Sequence, residues 1–508
     1  MSASRGATAV PVPLVSKGLK RGAVGFWDGV SIGVDSTAPA YTIAAVLGSI
    51  ALVAGTKAPA VLIVSFIPML CIAGAFFYMN RVDPDCGTTF SWVTRTMGPW
   101  WGWMGGWAVF TTGVLVVGAQ ADVAARYGLI LLGPPDLAES PPVVLTLTSV
   151  IVLALTWLSV RGTEMSARFQ RLMVALQVAA LTILVVAGIV RMATGSAPEG
   201  AAPFSLDWFD PSGLPPGALV SGMLLGVFCY WGWESAVNLN EESEDTIEAP
   251  GRAGIVATVI LLFVYVGSAV AVVGVVDLPT LGEYDDDEAL FELVGQLLLG
   301  PFGWILLLAI IVSGLAATQT TIIPASRASL SMATAHAFPA AFRSVHPRYE
   351  TPAFGTWLVG VAAVIWYLAG SAISQNFLFD SLSALSIVVA FYYALTGLAC
   401  TIYWRKHLRR SPAAFLLLGV GPVVGSIVLL VLLVAAMVEY ADPAASYTET
   451  AILGVGAPLA MALLIFALGI VLMVAARLTF ARPFFARRGM ELVTPEVADE
   501  VFRSRNVT

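Results

Sequence analysis

The chain has 508 residues, of which 58% are hydrophobic and only 12% charged, with a mean hydropathy of +0.85 and a formal net charge of −7. Soluble domains carry about a quarter charged residues, so this composition excludes a soluble protein and specifies a polytopic membrane protein. The expected partners are therefore the lipid bilayer and a small-molecule substrate, not nucleic acid. The four cysteines, Cys71, Cys86, Cys229 and Cys400, form neither a disulfide framework nor a metal-ligand spacing.

Ser2 to Lys20 is polar and weakly basic, with no small-residue cleavage site after a short apolar core, so the first span is expected to be retained. Apolar runs of about 20 residues predict an all-α fold of about twelve spans. They are placed at 24–54, 58–80, 100–132, 142–160, 169–193, 217–239, 253–276, 302–325, 353–370, 377–404, 413–438 and 455–478. All but Lys57, Arg126 and Arg191 of the 26 Lys and Arg then fall on one side. The positive-inside rule makes that side cytoplasmic, with both termini inside a multi-pass protein of the cell membrane. The outer loop Asp277 to Glu292 is acidic, a feature of a solvated face or of weak attraction for a cationic solute. One inner segment breaks the pattern: Glu241, Glu242, Glu244, Asp245 and Glu248 lie where cations are expected. The segment Asp83 to Trp103 is too polar to span and reads as a turn plus a short helix packed beneath the bundle.

Two spans are interrupted. In span 1, Gly33-Val34-Asp35-Ser36-Thr37-Ala38-Pro39 places an acid and a helix breaker at mid-membrane depth. Pro39 cannot donate a hydrogen bond and bars residue 38 from helical geometry. Lipid cannot satisfy the exposed backbone, so the break must line a protein cavity. In span 6, Phe228-Cys229-Tyr230-Trp231-Gly232-Trp233-Glu234-Ser235 carries a glycine between two tryptophans, followed by a second acid. Spans 1 and 6 each open a group of five, and the two groups run in opposite directions. Matched interruptions in two inverted halves point to a transporter binding site.

Four blocks carry a resemblance at this point: Asp35-Ser-Thr-Ala-Pro-Ala-Tyr41, Pro84-Asp-Cys-Gly-Thr-Thr-Phe-Ser-Trp92 with Gly98-Pro-Trp-Trp-Gly102, Arg161-Gly-Thr-Glu-Met-Ser-Ala-Arg168, and Trp231-Gly-Trp-Glu-Ser235. Together the chain resembles the amino acid–polyamine–organocation permease superfamily, actinobacterial type. The resemblance implies a ten-helix core of five-plus-five inverted repeats over residues 23–404. Two peripheral helices (405–480) and cytoplasmic tails (1–22 and 481–508) complete the chain. It also implies alternating-access transport of an amino acid or small organic amine. By the same resemblance, backbone amides near Gly33, Val34, Asp35, Ser36 and Thr37 hold a substrate carboxylate. Carbonyls near Phe228, Tyr230, Trp231 and Gly232 meet its amino group, with Phe228 or Trp231 as an aromatic gate. Two departures stand out. The family often has Gly-Ser-Gly where this chain has Gly33-Val34-Asp35, and some proton-coupled members place a Lys in span 5 where this chain has Gln177.

A mid-membrane carboxylate must face a cavity or a partner. Asp35 is thus expected to pair with a substrate ammonium, to ligate Na⁺, to carry a proton, or to cap the following half-helix. Glu234 is a candidate for proton or conformational coupling, or a static hydrogen-bonded link. Thr318 and Thr321 in span 8 offer oxygen ligands for Na⁺, although such hydroxyls commonly bond back to their own helix. Asp122 and Arg126 in span 3 are expected to pair within one turn. No cofactor is expected beyond H⁺ or Na⁺ as coupling ion, no catalytic residue is assigned, and no enzyme constellation occurs in the spans. The alternatives are a polyamine or amine exchanger, and a channel-like or nutrient-sensing protein on the same scaffold.

Overall fold

The computed structural model describes residues 16–198, 200–277, 287–374 and 376–486. Most of the acidic loop Asp277 to Glu292 and the ends of both tails lie outside the described residues. Among the described residues, ten helical stretches are long and apolar enough to cross a membrane, and one of them, Phe26–Asn80, holds two spans. With the shorter apolar helix Pro216–Cys229 they make twelve.

Span 1 is two half-helices, α1 (Phe26–Ser36) and α2 (Pro39–Ala54). Spans 2 to 5 are α3 (Ala58–Asn80), α5 (Pro99–Leu132), α6 (Pro141–Val160) and α7 (Thr163–Thr194). The short helix expected between spans 2 and 3 is α4 (Thr89–Met97), which buries Phe90 and Trp92. Span 6 is again divided, into α8 (Pro216–Cys229) and the single turn α9 (Ser235–Asn238). Then come α10 (Ala249–Val273), a short α11 (Asp287–Leu299), α12 (Trp304–Thr334), α13 (Ala353–Ile373) and α14 (Phe377–Trp404). The peripheral pair is α15 (Pro412–Glu439) and α16 (Ala457–Leu478), joined through a two-residue hairpin.

Half-helix α1 lies against α7, α9, α10 and α12, while α2 lies against α8 and α12. The broken spans thus occupy the centre. The outer walls α6, α7, α13, α15 and α16 expose their apolar residues, as a lipid-facing surface requires. One boundary differs from the sequence expectation. Span 8 was expected to end at 325, with Arg327 in a loop; α12 instead runs on to Thr334 and buries Arg327. The polar run Ser326-Arg327-Ala328-Ser329 reads as non-membrane by hydropathy. Here protein rather than lipid surrounds it, and its polar groups find partners there.

Candidate functional site

The break in span 1 is built by the sequence in three steps. Pro39 opens α2, where its missing N–H is no loss. Ala38 before it takes the left-handed conformation, at φ +50° and ψ +57°, which costs a non-glycine residue about 1–2 kcal/mol. The freed ends are then capped by hydroxyls. Thr37 Oγ1 donates to the Val34 carbonyl and Thr42 Oγ1 to the Thr37 carbonyl, each at 2.7 Å. The Tyr41 amide donates to Ser313 Oγ of α12 at 3.3 Å.

The break in span 6 turns on Gly232, whose φ is +120°. A Cβ there would stand 2.5 Å from the Ser36 carbonyl oxygen. Gly33 returns the contact: a Cβ on it would meet Ala257 Cβ at 2.9 Å and the Trp233 carbonyl at 3.3 Å. Ser36 Oγ and Ser235 Oγ are hydrogen-bonded at 2.7 Å. The two interruptions, far apart in the chain, therefore form one seam of close backbone contact at the middle of the bundle.

On one side of this seam opens a cavity of about 500 Å³. Tyr41 and Phe228 stand at its inner end, while Asp122, Arg126, Tyr440 and Tyr447 line its walls. Asp122 and Arg126 are paired at 2.6 Å, and the Tyr367 hydroxyl also donates to Asp122 at 2.6 Å. On the other side of the seam the protein is closed by ion pairs. Lys17 Nζ lies 2.8 Å from Asp85 and 2.5 Å from Glu241. Arg327 grips Glu242 through two bonds of 3.0 Å. Arg81 meets Glu248 at 2.7 Å, and Arg95 meets Asp83 at 3.0 Å. Burial alone would lower the Lys17 ammonium, but Asp85 and Glu241 hold it well above its usual pKa. Burial likewise works against Asp85, yet Lys17 and Arg95 keep it below the usual carboxylate range. Burial pushes Asp83 up to about 6 against the pull of Arg95. The carboxylates of Asp85 and Glu241 with the Cys86 thiol lie as close as metal ligands would. The Lys17 ammonium already occupies that cluster, bonded to both carboxylates.

The individual candidates separate. Phe228 faces the cavity and stacks on Trp231 at 6.3 Å. Tyr230 turns away, donating to the Leu62 carbonyl at 3.2 Å and packing on Tyr265. Asp35 is fully buried and faces span 5, where Gln177 Nε2 donates to its Oδ1. Glu234 accepts from the hydroxyls of Tyr392 and Tyr393 and, at 3.1 Å, from the Gly232 amide. It thereby ties the span 6 break to α14. Tyr392 also accepts from Trp231 Nε1 at 2.6 Å. Thr318 Oγ1 donates to Gly314 of its own helix at 2.7 Å, and Thr321 Oγ1 to Gln120 at 3.3 Å. Sequence reasoning missed Tyr392 and Tyr393, whose only signal was a pair of tyrosines inside an apolar span. It also left the acids from Glu241 to Glu248 without a role; three of them close one face.

A bundle with two opposed broken helices under a cavity defines a multi-pass membrane transporter. A family model described as amino acid permease matches residues 32–458, and the chain belongs to that family. It is 27% identical over 327 residues to the methylthioribose transporter of Bacillus subtilis (strain 168), across 61% of this chain and 68% of that one. It is 30% identical over 383 residues to an uncharacterized transporter of Mycobacterium tuberculosis (strain ATCC 25618 / H37Rv), across 74% and 78%. In fold it is similar to a manganese transporter of Eremococcus coleocola, with a TM-score of 0.54, 13% identity, and coverage of 96% of this chain and 95% of that one.

Proposed function

We propose that this protein is a secondary active transporter that moves an amino acid or small organic amine across the cytoplasmic membrane by alternating access. The observation that carries the reading is the Gly33/Ser36–Gly232/Ser235 seam, where the two broken spans meet, together with a cavity that Tyr41 of the one span and Phe228 of the other both line. Broken helices at a repeat interface present amide and carbonyl groups suited to a zwitterion or an ammonium. The backbone of Gly33 to Thr37, with Phe228, Trp231 and Gly232, forms the substrate-binding surface in this reading, and Phe228 is the aromatic that covers it. The face crowded with cations is cytoplasmic, so the cavity faces outward and the ion pairs are the inner closure. An ion gradient, of H⁺ or Na⁺, drives the cycle.

The test uses purified protein in proteoliposomes. Thermal shift against amino acids, polyamines and monoamines identifies ligands, since a ligand that binds only the folded state stabilises by mass action. Radiolabelled uptake of those ligands should saturate and exceed the external concentration when an ion gradient is imposed. Homoexchange without net uptake would make the protein an exchanger. Unsaturable, ohmic flux would reject the carrier reading.

A further inference from the structure

Asp35 and Gln177 hold two atoms that nothing in the substrate reading uses. Both side chains are fully buried, one in the last turn of α1 and the other midway along α7. The amide of Gln177 donates to Asp35 Oδ1. That leaves Asp35 Oδ2 and Gln177 Oε1, each buried and each without a partner among the described residues. Both are acceptors when Asp35 is ionised. A carboxylate and a carboxamide joined by one N–H···O bond, with both remaining oxygens bare, lack one hydrogen. A proton on Asp35 Oδ2 supplies the donor that Gln177 Oε1 lacks, and the pair can then close as a cyclic acid–amide dimer. Without it, each bare acceptor loses its hydration with nothing in exchange, and the buried charge loses more.

Among the described residues, the charged and titratable groups on the elements around the pair are engaged elsewhere. From α7, Arg171 is engaged with Asp28 at 3.1 Å. From the span 6 break next to α9, Glu234 is held by Tyr392 and Tyr393. From α10, the Tyr265 hydroxyl is given to the Cys229 carbonyl at 2.7 Å. From α12, Arg327 is committed to Glu242, and Thr318 and Thr320 bond to their own helix. The pair also stands apart from the cavity, whose lining includes neither residue.

We propose that the side chains of Asp35 and Gln177 form a proton-binding site, set apart from the cavity, through which transport is coupled to H⁺. The O–H bond forms on Asp35 when the site meets the proton-rich side, and it breaks to release H⁺ on the other. Deprotonation leaves a buried anion between α1 and α7, which favours separation of these helices and admission of water. The carbonyl of Asp35 accepts the Ala38 amide at 3.0 Å, in the turn that ends α1, and Ser36 next to it bonds Ser235. A shift of Asp35 therefore moves the seam itself. The coupling part of this proposal rests on the transport reading above; the existence of the proton site does not.

The experiment has two arms. Infrared difference spectra of the reconstituted protein, recorded across a pH titration in Na⁺ and in K⁺, report a protonated buried carboxyl by its C=O stretch. The wild type should show such a band that responds to pH and not to Na⁺. It should be absent in Asp35→Asn, and it should move to higher frequency in Gln177→Leu, where the C=O loses its N–H donor. In proteoliposomes, a pH gradient should drive accumulation by the wild type, and Asp35→Asn should fall to the level of protein-free vesicles. No carboxyl band in the wild type, or one that survives in Asp35→Asn, overturns the site. Accumulation that follows Na⁺ alone, or that persists in Asp35→Asn, overturns the coupling. If the wild type binds no amino acid or amine, the substrate reading fails while the infrared arm still decides the site.

Discussion

Replacing Arg327 by Met tests whether the ion pairs hold one face shut. The Arg327 and Glu242 side chains are 2% and 0% exposed and are joined by two bonds of 3.0 Å. Thr163 Oγ1 adds a third bond to Glu242 at 2.5 Å. With the guanidinium gone, Glu242 is a buried carboxylate with one hydroxyl donor. Removing one partner of such a pair costs about 3–5 kcal/mol. The nearest relief is local: parting α12 from the segment after α9 lets water reach Glu242. If all of that cost appears as gate opening, the open population rises by about two orders of magnitude or more, since 1.4 kcal/mol is a factor of ten. Cys86 reports it, because it is fully buried behind Lys17 in the same closure. In a variant retaining Cys86 as its single cysteine, the rate of modification by a polar thiol reagent should rise about a hundredfold in Arg327→Met. The double variant Arg327→Met/Glu242→Gln, which removes the stranded charge as well, should recover most of the protection. Unchanged labelling together with an unchanged melting temperature in Arg327→Met would refute the idea that this pair closes the face.

Three further expectations follow from the same geometry. Gly232→Ala forces a Cβ to 2.5 Å from the Ser36 carbonyl at a φ of +120°; it should lower stability by more than about 1–3 kcal/mol and abolish uptake, read by thermal melt and flux. Tyr392→Phe leaves Glu234 Oε1 and the Trp231 indole N–H without their partners, so it should cost about 1–3 kcal/mol for each, whereas Tyr393→Phe leaves Glu234 Oε2 still bonded to the Gly232 amide and should cost less in a thermal melt. Asp83 keeps its proton to about pH 6 in the folded chain because burial outweighs Arg95, against about 4 when unfolded. Its contribution to stability is therefore complete below about pH 4 and lost as pH rises through that folded value. Melting temperature plotted against pH should fall less steeply across this window in Asp83→Asn than in wild type, and superimposable slopes would remove Asp83 from the titration.

Most of the architecture was legible because the bilayer imposes it. Span lengths, the two breaks and the short helix after Asp83 follow from hydropathy, Pro39 and Gly232, each a local signal with a local cause. What was not legible depends on contacts between distant residues. Arg327 reads as a loop cation by hydropathy, and only its meeting with Glu242 makes a helical, buried arginine tolerable. The acids Glu241, Glu242 and Glu248 look anomalous in one dimension and become counterions in three. Asp35 was visible as an unusual charge, but its direction was not. A carboxylate beside a helix break can point to a cavity or to a neighbouring span, and only packing selects the side toward Gln177. Tyr392 and Tyr393 lie in an apolar run where tyrosine usually means packing, and their hydroxyls gain meaning only from Glu234.

The ion-paired face has a consequence for how the protein meets its membrane. Composition makes that face strongly basic, and a polybasic membrane surface ordinarily gathers anionic lipid, at about 1 kcal/mol for each accessible cation. Yet Lys17, Arg81, Arg95 and Arg327 are turned inward, each against an acid. A charge already matched by a carboxylate inside the protein has little field left to offer a phosphate outside it. While the face is closed, its hold on anionic lipid comes from the remaining cations, such as Arg21, Arg168 and Lys406. In the alternating-access cycle proposed above, opening of the face parts the pairs and makes four more available at once. Anionic lipid in that leaflet would then stabilise the open form, making the lipid composition of the bilayer a quantity to which the rate of the cycle responds.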